Sequence, residues 1–206
     1  MRYSRPFLLL FLPLLGSQAI GPLDKRRSDS NFPSQYIESN ITWTGKITED
    51  GPILEFTGSS LQHIEAQIRR AHPSFSGWSP LEEPRSPAQV KREKDFINCE
   101  PPGAQYASSY WIVHAIDYLR GIKGNCTNGP GPANCGRISC SWNSGIWWCN
   151  DDTEPKTVDC SLFASYVADI VERCYNEGRT PDWCVMGQEF DCDKWNVIVA
   201  GTKDWC

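Results

Sequence analysis

Apolar and polar positions alternate along residues 137–142, where Ile138, Cys140 and Trp142 fall between Arg137, Ser139 and Ser141. Period two is the signature of a half-buried strand. Asn143-Ser144-Gly145 supplies turn chemistry and Ile146-Trp147-Trp148-Cys149 is rich in strand formers, so this stretch predicts a β-hairpin. The pattern changes to helical spacing over residues 106–120, where Ile112, Ile116 and Leu119 recur, with Trp111, Val113 and Ala115 widening the apolar face. Residues 160–174 repeat it: Phe163, Val167, Ile170 and Cys174 share one face, opposite Asp169, Glu172 and Arg173. Residues 185–190 and 195–200 predict a second hairpin around Asp191-Cys192-Asp193-Lys194. The order helix, hairpin, helix, hairpin predicts an α+β sandwich, with two helices packed on one antiparallel sheet.

The region before residue 93 has its own pattern. Residues 41–47 and 53–58 read as two short strands around Glu49-Asp50-Gly51. Ser59 or Ser60 is placed to cap a helix through Leu61, Ile64, Ile68 and Ala71. Further upstream, Arg2 and Arg5 precede the apolar run 6–15, and Ser17 and Ala19 occupy the −3 and −1 positions of a cleavage site. Residues 1–19 therefore predict a secretory signal peptide, too short for a membrane span.

Cysteine placement sharpens the division. All ten cysteines lie from Cys99 onward: Cys99, Cys126, Cys135, Cys140, Cys149, Cys160, Cys174, Cys184, Cys192 and Cys206. An even number in a secreted chain predicts five disulfides, with connectivity left open and no metal site. Basic clusters at Lys25-Arg26-Arg27 and Lys91-Arg92 punctuate the cysteine-free part, and Pro73, Pro80, Pro84 and Pro87 favour an extended approach to the second. Cleavage after Arg92 is expected, making residues 20–92 a pro-segment and residues 93–206 the mature disulfide-rich domain. The pro-segment's strands and helix would cover that domain during folding or remain as a small subdomain. Asn40-Ile41-Thr42 and Asn125-Cys126-Thr127 are N-glycosylation acceptors at Asn40 and Asn125.

Residues 93–206 carry nine Lys or Arg against sixteen Asp or Glu, a net charge of −7. An acidic chain repels phosphate backbones and anionic membranes, which disfavours nucleic-acid partners and membrane insertion. The chemistry-bearing motifs of hydrolases and nucleotide-binding proteins do not occur, and no cofactor is implied. His114, the only histidine after residue 92, reads as a structural or surface side chain. Asp151, Asp152 and Glu154 form one carboxylate cluster and Glu189, Asp191 and Asp193 another. Both read first as turn residues, with an acid–base pair for glycoside cleavage as the enzymatic alternative. No catalytic residue is assigned. Trp147 and Trp148 point to opposite faces of their strand, so one is exposed unless the sheet is covered on both sides. Core packing against disulfides is the first reading of either one, and they are also the candidate binding residues.

The segment Asn134-Cys135-Gly136-Arg137-Ile138-Ser139-Cys140-Ser141, followed by Ile146-Trp147-Trp148-Cys149-Asn150-Asp151 and the closing Trp195-Asn196-Val197-Ile198-Val199, resembles a group of fungal small secreted cysteine-rich proteins, discussed as candidate effectors. That resemblance covers residues 104–206 and implies a secreted, monomeric, non-catalytic protein that binds a host extracellular protein or glycan. At the level of fold the expected sandwich resembles fungal killer toxins, which makes antimicrobial action the alternative. A small carbohydrate-active or ribonuclease-like enzyme is the second alternative.

Overall fold

The computed structural model describes residues 35–78, 94–176, 183–203 and 206. The N-terminal part contains β1 (Ile37–Ser39), β2 (Ile41–Gly45), β3 (Leu54–Gly58) and α1 (Leu61–Ala71). Next come β4 (Lys94–Asn98), β5 (Ala107–Ser108), α2 (Ser109–Gly121) and β6 (Asn125–Asn128). The central hairpin is β7 (Asn134–Ser141) and β8 (Ser144–Asn150). It leads through β9 (Lys156–Asp159) and a short 3-10 turn into α3 (Phe163–Cys174). The chain closes with β10 (Tyr175–Asn176), β11 (Cys184–Val185), β12 (Gly187–Asp191) and β13 (Trp195–Gly201).

This corrects the expected sandwich of two helices on a single sheet. The described residues form three α-helices and three sheets, of six, four and three strands. The two expected hairpins do exist, and they pair with each other through β8 and β13 in the middle of the six-stranded sheet, ordered β1-β7-β8-β13-β12-β4. What local pattern does not carry is partnership at long range. Strand β1 adds to β7 in parallel, and β2 sits between β3 and β6 in the four-stranded sheet β3-β2-β6-β9. The three-stranded sheet β10-β11-β5 is built from two-residue strands, too short for any periodicity to show.

Helix α1 starts where the sequence predicts. The Ser60 side chain accepts from the His63 backbone N–H at 3.1 Å, satisfying one of the orphan donors of the first turn. Its inward stripe, Leu61, Ile64 and Ile68, has no solvent exposure. Those residues join Ile41 and Trp43 in one continuous core with Trp148, Phe163, Tyr166, Val167, Trp195 and Val197. Trp43 is locked further by its Nε1 donating to the Lys123 carbonyl at 2.8 Å. Gly124 lets the chain pass so close: its φ is +105°, and a Cβ there would lie 2.7 Å from the Thr44 carbonyl oxygen.

Both faces of the six-stranded sheet are covered. Helices α2 and α3 pack over the face carrying Ile146, Trp148, Val197 and Val199. The opposite face places Trp147 in a small cluster with Cys135, Cys149, Ile198 and Ala200, over which Tyr36 and Ala104 pack. Two buried asparagines tie the loops between these layers: Asn128 Nδ2 donates to the carbonyls of Asn134 and Trp148, and Asn150 Nδ2 to those of Gly129 and Glu154.

Of the five expected disulfides, four are seen among the described residues: Cys99–Cys174, Cys126–Cys160, Cys135–Cys149 and Cys140–Cys206. The remaining two cysteines are Cys184, buried in β11, and Cys192, exposed in the turn after β12. No helix among the described residues is long and apolar enough to cross a membrane.

Candidate functional site

Trp147 and Trp148 have no solvent exposure, so both are core residues and their candidate binding role is corrected. The alternation rule places them on opposite faces, and each face is buried, so neither is available to a partner. Asn40 and Asn125 are both exposed, the latter next to the bridged Cys126. Ala19, Lys91 and Arg92 lie outside the described residues.

Among the described residues, the most exposed tryptophans are Trp142 and Trp183, at 60% and 68%, with Trp78 and Trp111 half-buried. Sequence periodicity places Trp142 inward with Ile138 and Cys140. A register shift between Arg137 and Ser139 reverses the alternation of β7, so Ser139 is buried and Trp142 emerges at the turn. Trp142 and Asn143 form that two-residue turn with φ of 47° and 59°, the left-handed pair that a tight hairpin requires. Trp183 has φ 63°. A bulky side chain on left-handed backbone is an outlier held in place by its surroundings. The Trp142 N–H donates to the Cys206 carbonyl at 3.1 Å, beside the Cys140–Cys206 bridge. The Trp183 carbonyl accepts from both the N–H and the hydroxyl of Ser109, at 3.0 and 2.8 Å.

Helix α2 joins these two anchors into one surface. The Trp111 ring stacks on Trp142 with centroids 5.5 Å apart and planes 14° from parallel. Tyr110 meets Trp111 edge-on at 4.9 Å and His114 at 4.5 Å, and Tyr175 leans on Trp183 at 6.2 Å. Between Tyr110 and Trp183 lies a groove of about 510 Å³, lined by Ser109, Tyr110, Val113, His114, Val171, Tyr175 and Trp183. Val113, expected to widen the buried face of α2, is 46% exposed in this groove. Rigid aromatic rings with polar edges at an open groove are the composition of a binding surface. Among the described residues, the groove lining contains no carboxylate.

The buried carboxylates of β12 lie elsewhere and are engaged. Glu189 and Asp191, two apart on β12, are buried. Asp191 accepts from the Tyr166 hydroxyl, and Lys94 pairs with Asp169 while lying 3.6 Å from Glu189 and over the Tyr166 ring. Burial outweighs the nearby Lys94 cation, with Asp169 adding repulsion, and pushes the Glu189 carboxyl up to about 7. A raised carboxyl contributes stability that is fully present below its unfolded value of 4.5 and is lost as pH rises through about 7. Thermal unfolding across that window should therefore show stability falling with pH, and Glu189→Gln should remove that fall; an unchanged slope in the variant would assign it to another group.

On the opposite sheet face, burial likewise raises Asp151, against the hydrogen bond from Asn196 at 2.6 Å. Gln188 continues this chain to Asn196 and to the Tyr36 hydroxyl. Asp152 is half-buried, and its hydrogen bond from Lys156 holds its carboxyl below the usual range. No group of three or more His, Cys, Asp or Glu among the described residues is arranged to hold a metal ion. No family model, curated protein or solved structure matches the chain.

Proposed function

We propose that the chain is a secreted binding protein of the fungal cysteine-rich effector kind that its hairpin motifs resemble, matured after Arg92, and that it engages an extracellular host target through the Tyr110–Trp111–Trp142–Trp183 surface. The observation that carries this reading is the pair of exposed tryptophans fixed on left-handed backbone, Trp183 in the groove lining and Trp142 stacked on Trp111 next to the groove residue Tyr110. Holding large aromatics outward in that geometry costs stability, and a binding role supplies the compensating benefit. The buried pair Glu189 and Asp191 lies outside the groove lining, which favours binding over hydrolysis by that pair, because an acid–base pair has to reach its substrate.

Oxidised protein, infiltrated into leaves of several plant genotypes and added in parallel to yeasts and filamentous fungi, tests the reading. Genotype-dependent necrosis or altered immune output, with microbes unaffected, is expected. Trp142→Ala and Trp183→Ala should each leave folding stability within about 0.5 kcal/mol of the parent while weakening the leaf response by about tenfold or more. Microbial arrest with silent leaves would replace this reading with the killer-toxin one.

A further inference from the structure

The cysteine-free N-terminal part carries no covalent tie to the rest of the fold beyond the chain itself, since its first cysteine neighbour is Cys99. Its non-covalent ties are extensive. Strand β2 pairs with β6 over Ile41↔Asn128 to Thr44↔Asn125, and β1 pairs with β7 over three residues. The Ile37 N–H donates to Ala133 at 2.8 Å and Gln62 to the Ser139 hydroxyl at 2.8 Å. Ile41, Trp43, Leu61, Ile64 and Ile68 are wholly excluded from water within the same core as Trp148 and Phe163. Without this part, β6 would keep only β9, a two-stranded ribbon that is marginal in water. The outer edge of β7 would also open as a template for aggregation.

We propose that residues 37–71 are a permanent subunit of the mature protein: cleavage after Arg92 yields two chains that stay together without a disulfide, and the segment is not released. The partner surface is the β6 edge, the β7 edge and the apolar floor beneath α1. The inference is independent of what the aromatic groove binds, and it holds for any cut between residues 78 and 94.

Full-length protein carrying an added viral-protease site after Arg92 provides the test, because the cut is then made after folding and to completion. Without reductant, native size exclusion should return both fragments in one peak at the uncut position, and concentrated guanidinium should separate them. Elution of the N-terminal fragment by itself under native conditions overturns the proposal, whether the remainder stays folded or precipitates. Gly136→Ala examines the assigned contact, since a Cβ there would lie 1.8 Å from Ile41 Cγ2. The cut complex of that variant should dissociate at least several-fold faster; an unchanged lifetime would sink the assigned interface. Intact mass of the wild-type secreted product separately reports whether the natural cut occurs at Arg92, so failure of the processing reading is distinguishable from failure of this one.

Discussion

Trp43→Ala should abolish secretion or, in whatever protein folds, remove about 3–5 kcal/mol of stability. The side chain has no solvent exposure and sits on β2, an inner strand of the four-stranded sheet. Its ring contacts Phe56 and Trp78, and Trp78 in turn meets Phe75 and Tyr118. Truncation therefore opens a cavity at the junction between the N-terminal part and helix α2. It also removes the donor that Trp43 Nε1 supplies to the Lys123 carbonyl, a hydrogen bond worth about 1 kcal/mol. Trp43→Phe separates the two effects, because it fills most of the volume and loses the donor. Ile53→Ala, at a side chain 69% exposed, is the matched control and should stay within about 0.5 kcal/mol. Guanidinium unfolding followed by fluorescence measures all three. Unaltered stability in Trp43→Ala would show that the folded, secreted protein does not use this segment, and would undercut the two-chain assembly as well.

Single elements are legible in this sequence where their signal is local. The Ser60 cap, the Leu61/Ile64/Ile68 stripe of α1 and the Phe163/Val167/Ile170 stripe of α3 are each written within a few turns of chain. The alternation rule even states the condition under which both Trp147 and Trp148 are buried. That the condition is met depends on Tyr36 and Ala104 closing the far face, and single side chains more than forty residues away in sequence leave no periodic trace. Trp142 fails for a different reason. One register shift in β7 turns the inward position outward, and a bulge has no compositional mark when neither flanking residue is glycine or proline. Trp183 shows no pattern at all; its prominence comes from its left-handed backbone and the Ser109 clamp. The site therefore emerged from exposure and dihedral geometry, whereas the motif that carries the family resemblance turned out to be core.

Replacing Cys99 and Cys174 together by Ser should cost about 4 kcal/mol, more than removal of any other bridge, because this one closes the longest loop, 75 residues of sequence. Chain-entropy reasoning puts Cys140–Cys206, at a separation of 66, just below it and Cys126–Cys160, at 34, next. Cys135–Cys149, at 14, comes last with about 3 kcal/mol. The ranking is measurable by denaturant unfolding of the four double variants, and a largest loss at Cys135–Cys149 would reject it in favour of packing around Trp147. Position adds a second consequence. Cys99 follows β4, an edge strand whose pairing with β12 is irregular, and the bridge pins it to the end of α3. Lys94 opens that strand and lies against Asp169, Glu189 and the Tyr166 ring. Once β4 is free to fray, water reaches Glu189 and its carboxyl returns toward 4.5, because burial is the chief cause of its elevation. The double variant should accordingly lose most of the fall in stability between pH 4.5 and about 7 that the parent shows. A variant that is destabilised yet keeps the full pH dependence would mean that the bridge constrains the unfolded chain alone, with β4 held in place by its pairing to β12.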